Sequence, residues 1–319
     1  MNTKQFSQQI QQVTSPLPGS IPYCYDYVFS VKQQYNNAKL IDFLNNSVPM
    51  VSNEDWLEKI STGNLKVNNK LAKAEMKVIS GYRVSHVSGE RIDPAVNPNI
   101  TLIYDDAQLL IINKPAPLPM HPCGRFRKNT LITILRNAFH PADFKITHRI
   151  DANTTGLVIL AKDKQSATKV MTQFEHRTIH KEYLALVNGI VEKDNFESKK
   201  AVGKTVIAAG ARQLCENGVE AHSIFEVMQR FPQLNQTLLR VIPKSGRTNQ
   251  IRLHLVDLGH TIVGDHHYHD ISALEDNPMS YDDDQLFLHS WKIRLKHPAT
   301  GELTTYTAPV PEKFPDFSL

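Results

Sequence analysis

Cysteine is nearly absent from this chain of 319 residues. The three present, Cys24, Cys123 and Cys215, lie too far apart for the paired spacing of a zinc site and are too few for a disulfide framework, so all three read as unpaired thiols. Long apolar runs are also missing. No stretch approaches the roughly 18 apolar residues of a membrane helix, and the opening MNTKQFSQQIQQ is too polar for a secretory signal, so a cytoplasmic protein without membrane attachment is expected. Neither sign of charge dominates: 36 Lys and Arg against 32 Asp and Glu leave a net +4, which alone says little about a polyanionic partner. The chain also lacks internal repeats and low-complexity tracts. What it has is 41% apolar residues, enough for a real core in one large domain and one small one.

Charge is informative by position. Between Trp56 and Arg91 seven basic residues face three acidic ones, and between Met120 and Arg149 the count is six to one. From Asp265 to Asp284 there are seven acidic residues and no Lys or Arg, so the chain is polarised, and its two basic segments suit a phosphate backbone or simply a solvated face.

Residues 1–36 carry Pro16, Pro18 and Pro22 among many Gln, Asn and Ser, which predicts an extended or partly ordered arm. A small module over 37–92 follows, with a short helix around Leu57 and Ile60, a turn at Gly63 and strand-like alternation at Leu65 and Val67. The polar, proline-bearing stretch from Asp93 to Asn99 reads as a linker to a domain over 100–319. There ITLIYDD and LLIINKP predict two strands, and Thr130 to Phe139 a helix that Asn129 caps. Asp163 opens a second helix with Ala167, Val170, Met171 and Phe174 on one buried face, and a third runs from Thr248 as N-cap to Gly259. The irregular mixture of helices and strands predicts an α+β fold with one large mixed, mostly antiparallel sheet.

The stretch HRIDANTTGLVILA delivers His148, Arg149 and Asp151 from a strand end into a polar turn before a buried strand. Flanking cations there are expected to lower the pKa of Asp151 and keep it the anion that a carboxylate nucleophile must be. Two plainer readings compete. Asp151 and Asn153 suit Asx turns, and Asp151, Asn153, Thr155 and Gly156 match the opening of a calcium loop, although Lys162 stands where that loop needs Glu.

Residues 148–157 closely resemble the motif His-Arg-Leu-Asp-x-x-Thr-Ser-Gly-Leu of the pseudouridine synthases that modify large-subunit ribosomal RNA and some transfer RNAs. INKPAPLPMHP, KEYLALVNG, GRTNQIRLHLVDLGHTIVGDHHY and LFLHSWKIRLKHP resemble four further blocks of that family, in family order, between about Thr101 and Pro311. The resemblance implies an isomerase needing no cofactor and no metal: an Asp attacks a flipped uridine, the base rotates, and carbon replaces nitrogen at the sugar. It implies Asp151 as nucleophile, Tyr183 stacked on the base, Arg252 paired with the nucleophile, and Arg149 filling the gap the base leaves. Departures are Asn249 where the family usually has His, Pro117 where Gly is common, and Thr155 where Ser is common.

Residues 40–87 resemble the S4-type RNA-binding module, through WLEKISTGNLKVNN and Gly81. With the charge pattern this puts candidate RNA contacts at Lys59, Lys66, Lys70, Lys73, Lys114, Arg125, Arg127, Lys128, His148, Arg149 and Arg247. The expected partner is ribosomal RNA ahead of transfer RNA, met by a monomer with no protein partner. Two rival readings stand. HTIVGDHHYHD, with His260, Asp265, His266, His267 and His269 as candidate ligands, suggests a metal-dependent hydrolase, and the basic segments alone fit a non-catalytic RNA-binding protein.

Overall fold

The N-terminal stretch expected as an extended arm opens with a capped helix, α1 (Thr3–Thr14). Asn2 and Gln5 form a reciprocal capping box, and Phe6 and Ile10, four residues apart, bury the same face, Phe6 stacking on Phe139 at 5.1 Å. Two buried side chains in a Gln-rich helix are too few to stand out as a period, which is why composition suggested an extended or partly ordered arm. The computed structural model describes residues 1–49, 51–205, 211–268 and 286–317. They divide into a unit of residues 21–92 and a unit of residues 1–20 with 93–319.

The smaller unit holds β1 (Asp26–Ser30), α2 (Leu40–Ser47), α3 (Asn53–Ser61), β2 (Leu65–Val67), β3 (Lys70–Leu71) and β4 (Arg83–Val87). It starts earlier than residue 37 because β1, from the expected arm, pairs along its whole length with β4. The antiparallel sheet runs β1-β4-β2-β3, and Leu40, Phe43, Leu44, Trp56, Leu65 and Val84 are buried together against it. Lys66, Lys70 and Lys73 are exposed and Lys59 is half-buried, so all four stay accessible to solvent.

The larger unit is built on one sheet. Its strands are β5 (Thr101–Asp105), β6 (Leu109–Lys114), β7 (Lys145–Ile146), β8 (Thr155–Ala161), β9 (His180–Asn188), β10 (Asn195–Ser198), β11 (Ser223–Phe231), β12 (Gln236–Pro243), β13 (Leu288–Lys296) and β14 (Leu303–Thr307). The main path is β10-β11-β12-β9-β13-β8-β6-β5, with β14 on β13 and β7 on β8; the β13–β8 pairing is parallel and the other described pairings are antiparallel. The fold is thus α+β with a large mixed, mostly antiparallel sheet, as the sequence predicts. Alternation puts Leu110, Ile112, Val158 and Leu160 into one apolar layer and Leu109, Ile111, Leu157 and Ile159 into another, so the sheet centre is covered on both faces.

Helices α4 (Leu131–Ala138), α5 (Lys164–Glu175) and α6 (Gln250–Asp257) complete the unit. Thr130, not Asn129, caps α4, because the Asn129 side chain is taken by the Gly19 amide and the Pro94 carbonyl. Asp163 caps α5 as expected, but Met171 is 50% exposed and the buried stripe is narrower than its period suggested. Asn249, in the left-handed region at φ 58°, precedes α6 in place of Thr248.

Gly156 fixes where β8 meets β13. Its φ is +110°, and a Cβ there would lie 2.2 Å from the Ser290 carbonyl oxygen and 2.6 Å from the Ser290 nitrogen. Backbone cannot yield as a side-chain tip can. Gly156→Ala is therefore expected to destabilise the protein by roughly 3 kcal/mol or more, or to prevent soluble folding. Denaturant unfolding within about 1 kcal/mol of the parent protein would contradict this packing.

Candidate active site

Three separate segments meet at a cleft of about 880 Å³. The β7–β8 connection brings Asp151 and Arg149, β9 brings Tyr183, and α6 brings Arg252, all lining it. Tyr183 is fixed by the sheet, lying opposite Val241 of β12 and Ser290 of β13. The Asp151 turn is fixed from below: the Thr154 amide donates to the Asp151 carbonyl, the Leu118 amide to the Ala152 carbonyl, and the Thr155 hydroxyl lies 2.8 Å from His289 Nδ1.

Two expected RNA contacts have other work. Lys114 is fully buried at the end of β6, and its Nζ donates to the carbonyls of Pro115, Leu118 and Ala152 at 2.8, 3.0 and 2.9 Å. It clamps the turn next to Asp151 and is unavailable to a phosphate. His148 accepts from the Ile159 amide through Nε2 at 3.0 Å and stacks on Phe174, and burial pulls its pKa down to about 3. It is a neutral prop for the loop, although its ring also lines the cleft.

The expectation that flanking cations hold Asp151 low is reversed. Burial raises its pKa above the ordinary carboxylate value; Arg252, Lys114 and Arg149 oppose this and Asp265 adds to it. At Asp151 the Asx-turn reading finds no support, since burial and charges, and no hydrogen bond, act on its carboxylate among the described residues. An anionic nucleophile with a raised pKa is protonated sooner as pH falls. The acid limb of kcat/KM is accordingly expected above the ordinary Asp range, and activity that stays flat down to about pH 4 would contradict it. Tyr183 is pushed up to about 12, chiefly by burial, so it stays a neutral phenol.

Arg252 does not pair directly with Asp151. It is buried, and its Nε and Nη2 donate to the two oxygens of Asp265 at 2.7 and 2.6 Å, while Nη1 reaches Asn249 Oδ1 at 3.3 Å. Tyr268 closes this network: its amide donates to Asp265, its hydroxyl accepts from Asn249 Nδ2, and the guanidinium carbon sits 4.6 Å above its ring. Arg252 therefore acts on Asp151 through space. Sequence reasoning missed Asn249 and Tyr268 as supports, and it set Asp265 among metal ligands. The spacing Gly264-Asp265-x-x-Tyr268, close after the Arg252 block, was the available signal.

The metal reading loses its carboxylate here, since both Asp265 oxygens are engaged by Arg252. Among the described residues no group of three His, Cys, Asp or Glu side chains could hold a metal ion; His269 lies outside the described residues. Of the basic-loop candidates, Arg125 is exposed, and Arg127 and Lys128 are half-buried. The amides of Arg127, Lys128 and Asn129 converge on one oxygen of buried Asp93, at 2.7, 2.6 and 2.9 Å, so a residue read as linker organises the loop. Arg247 lines the cleft, with Nε on the Glu220 carbonyl.

Residues 108–257, which span Asp151, Tyr183 and Arg252, match the family model described as RNA pseudouridylate synthase. The chain is 31% identical over 302 residues to ribosomal large subunit pseudouridine synthase C of Vibrio vulnificus, covering 90% of this chain and 93% of that protein. It is 30% identical to ribosomal large subunit pseudouridine synthase D of Nitrosomonas europaea, covering 81% and 76%. Among solved structures, human RNA pseudouridylate synthase domain containing 1 superposes with a TM-score of 0.55 at 26% identity, covering 68% of this chain and 86% of that one. The family model and relatives matched over 81–90% of the chain agree: the chain belongs to the RNA pseudouridylate synthase family and is an isomerase that converts uridine to pseudouridine in RNA.

Proposed function

We propose that this isomerase acts on ribosomal RNA of the large subunit, with Asp151 as nucleophile and with no metal or organic cofactor. The observation that carries the reading is the convergence of Asp151, Tyr183 and Arg252, from three distant segments, on one cleft. A paired, stacked uridine cannot reach a carboxylate at the bottom of such a cleft, so the base flips out, at a few kcal/mol of unstacking. Exposed Arg149 at the rim has the planar guanidinium to stack in the vacated space. Tyr183 packs against the uracil, the Asp151 carboxylate forms a covalent adduct, the bond from N1 to the sugar C1′ breaks, and the detached base rotates; C5 then bonds to C1′, Asp151 is released as carboxylate, C5 loses its proton and N1 gains one. The buried Arg252 supplies positive charge to the carboxylate without quenching it in a direct pair.

Ribosomal RNA is the favoured target because two relatives, matched over 90% and 81% of this chain, carry large-subunit ribosomal names. The unit of residues 21–92 supplies a second RNA-gripping surface of the S4 type, through Lys59, Lys66, Lys70 and Lys73, while Arg125, Arg127, Lys128 and Arg247 serve the catalytic unit. The protein works as a cytoplasmic monomer. Deleting the gene and mapping pseudouridine chemically across ribosomal and transfer RNA tests the target: loss of a large-subunit site is expected, and loss confined to transfer RNA would overturn the choice.

A further inference from the structure

Three helices of this chain end in the same hydrogen-bonded turn. After α3, the Gly63 and Asn64 amides donate to the Ile60 and Lys59 carbonyls; after α6, those of Gly259 and His260 donate to Val256 and Leu255. After α5, the amides of Arg177 and Thr178 donate to Phe174 and Gln173 in the same pattern. The turn needs a left-handed residue just past the cap, where glycine is favoured because it has no Cβ to collide with the next carbonyl. Gly63 and Gly259 meet that need at φ +74° and +84°, whereas the third turn holds Arg177 there at φ +57°. An arginine thus occupies a glycine position at the one of these turns whose left-handed residue lines the cleft.

Arg177 is exposed, and among the described residues no acidic side chain pairs with it. Lys181, two residues before Tyr183 on β9, lines the same cleft with Nζ 3.2 Å from the Ser245 carbonyl. Burial, and then Arg177, push the Lys181 amine down to about 8. Among the described residues neither of these two like charges has an ion-pair partner, although Glu175 and Asp151 also line the cleft, and one of the two stands in a backbone conformation its side chain disfavours, an arrangement that suits an anion.

We propose that Arg177, together with Lys181, binds an RNA phosphodiester flanking the nucleotide held in the cleft, an inference that rests on the cleft being the RNA site. A purely structural role for Arg177 predicts that glycine does at least as well. A phosphate-binding role predicts that glycine improves the turn and impairs the enzyme.

The test uses the full chain with total RNA from cells lacking the gene, and pseudouridine formation as readout, for the native protein and for Arg177→Gly, Arg177→Gln and Arg177→Lys. The expectation for Gly and Gln is an apparent KM raised about tenfold, a kcat within about twofold, and a log–log salt slope shallower by about one. Lys is expected to stay within about threefold of the native KM, since it keeps the charge. The Tm of Arg177→Gly should be unchanged or higher by up to about 2 °C. Arg177→Gln keeps a Cβ at the turn, so it separates lost charge from altered backbone. Native KM and salt slope in both Gly and Gln, or failure of Lys to retain affinity, would overturn the site. A native protein inactive on this RNA would overturn the reading of the cleft and the inference with it.

Discussion

Asp151→Ala and Asp151→Asn are expected to lose pseudouridine formation by at least about 10⁴-fold while keeping affinity for RNA, because with Asp151 as the proposed nucleophile they remove the attacking atom and leave the basic surface intact. The same substitutions should not weaken the fold. Burial raises the folded pKa of Asp151 above its unfolded value, so its carboxylate adds stability only when protonated, at low pH, and that contribution is lost as pH rises through the folded pKa. At neutral pH the charged side chain is a cost, and its removal leaves Tm level or higher. Activity within about tenfold of the native protein, or a clear fall in Tm, would contradict the assignment; single-turnover assay and thermal melting read both.

Asp265→Ala is expected to destabilise the protein by about 3–5 kcal/mol, because it strands the Arg252 guanidinium, buried with Asp265 in the same network, without its bidentate partner. The loss is not a measure of the pair's net worth. Replacing both residues by Leu removes the stranded charge too, so the double variant Arg252→Leu with Asp265→Leu should recover much of the stability while remaining inactive. Denaturant unfolding of the two variants decides it. If the single variant loses less than about 1 kcal/mol, the pair is not the buried network described here.

Much of this was legible in the sequence because the informative residues sit in short contiguous runs. The apolar run LLIINKP became β6, the Asp163-capped period became α5, and the turn in HRIDANTTG carried the Asp151 carboxylate into a cleft. What stayed hidden was decided by partners far along the chain. Lys114 and His148 look like surface cations in their own segments, and only the tertiary fold gives one three carbonyls and the other a buried amide. The pKa of Asp151 went the opposite way for the same reason, since burial is invisible locally and the Arg252 guanidinium is committed to Asp265. Helix α1 escaped notice because two buried side chains among glutamines make a weak period, and Asp93 because a linker aspartate has no local mark of gathering three amides.

The most direct measurement takes purified protein, stripped with a chelator and given no nucleotide, adds it to total RNA from cells lacking the gene, and maps pseudouridine beside an Asp151→Ala control. Cofactor-free chemistry at Asp151 predicts at least one new site with the native protein and none with the variant. The same site appearing with Asp151→Ala, or appearing with the native protein only after metal is restored, would contradict it.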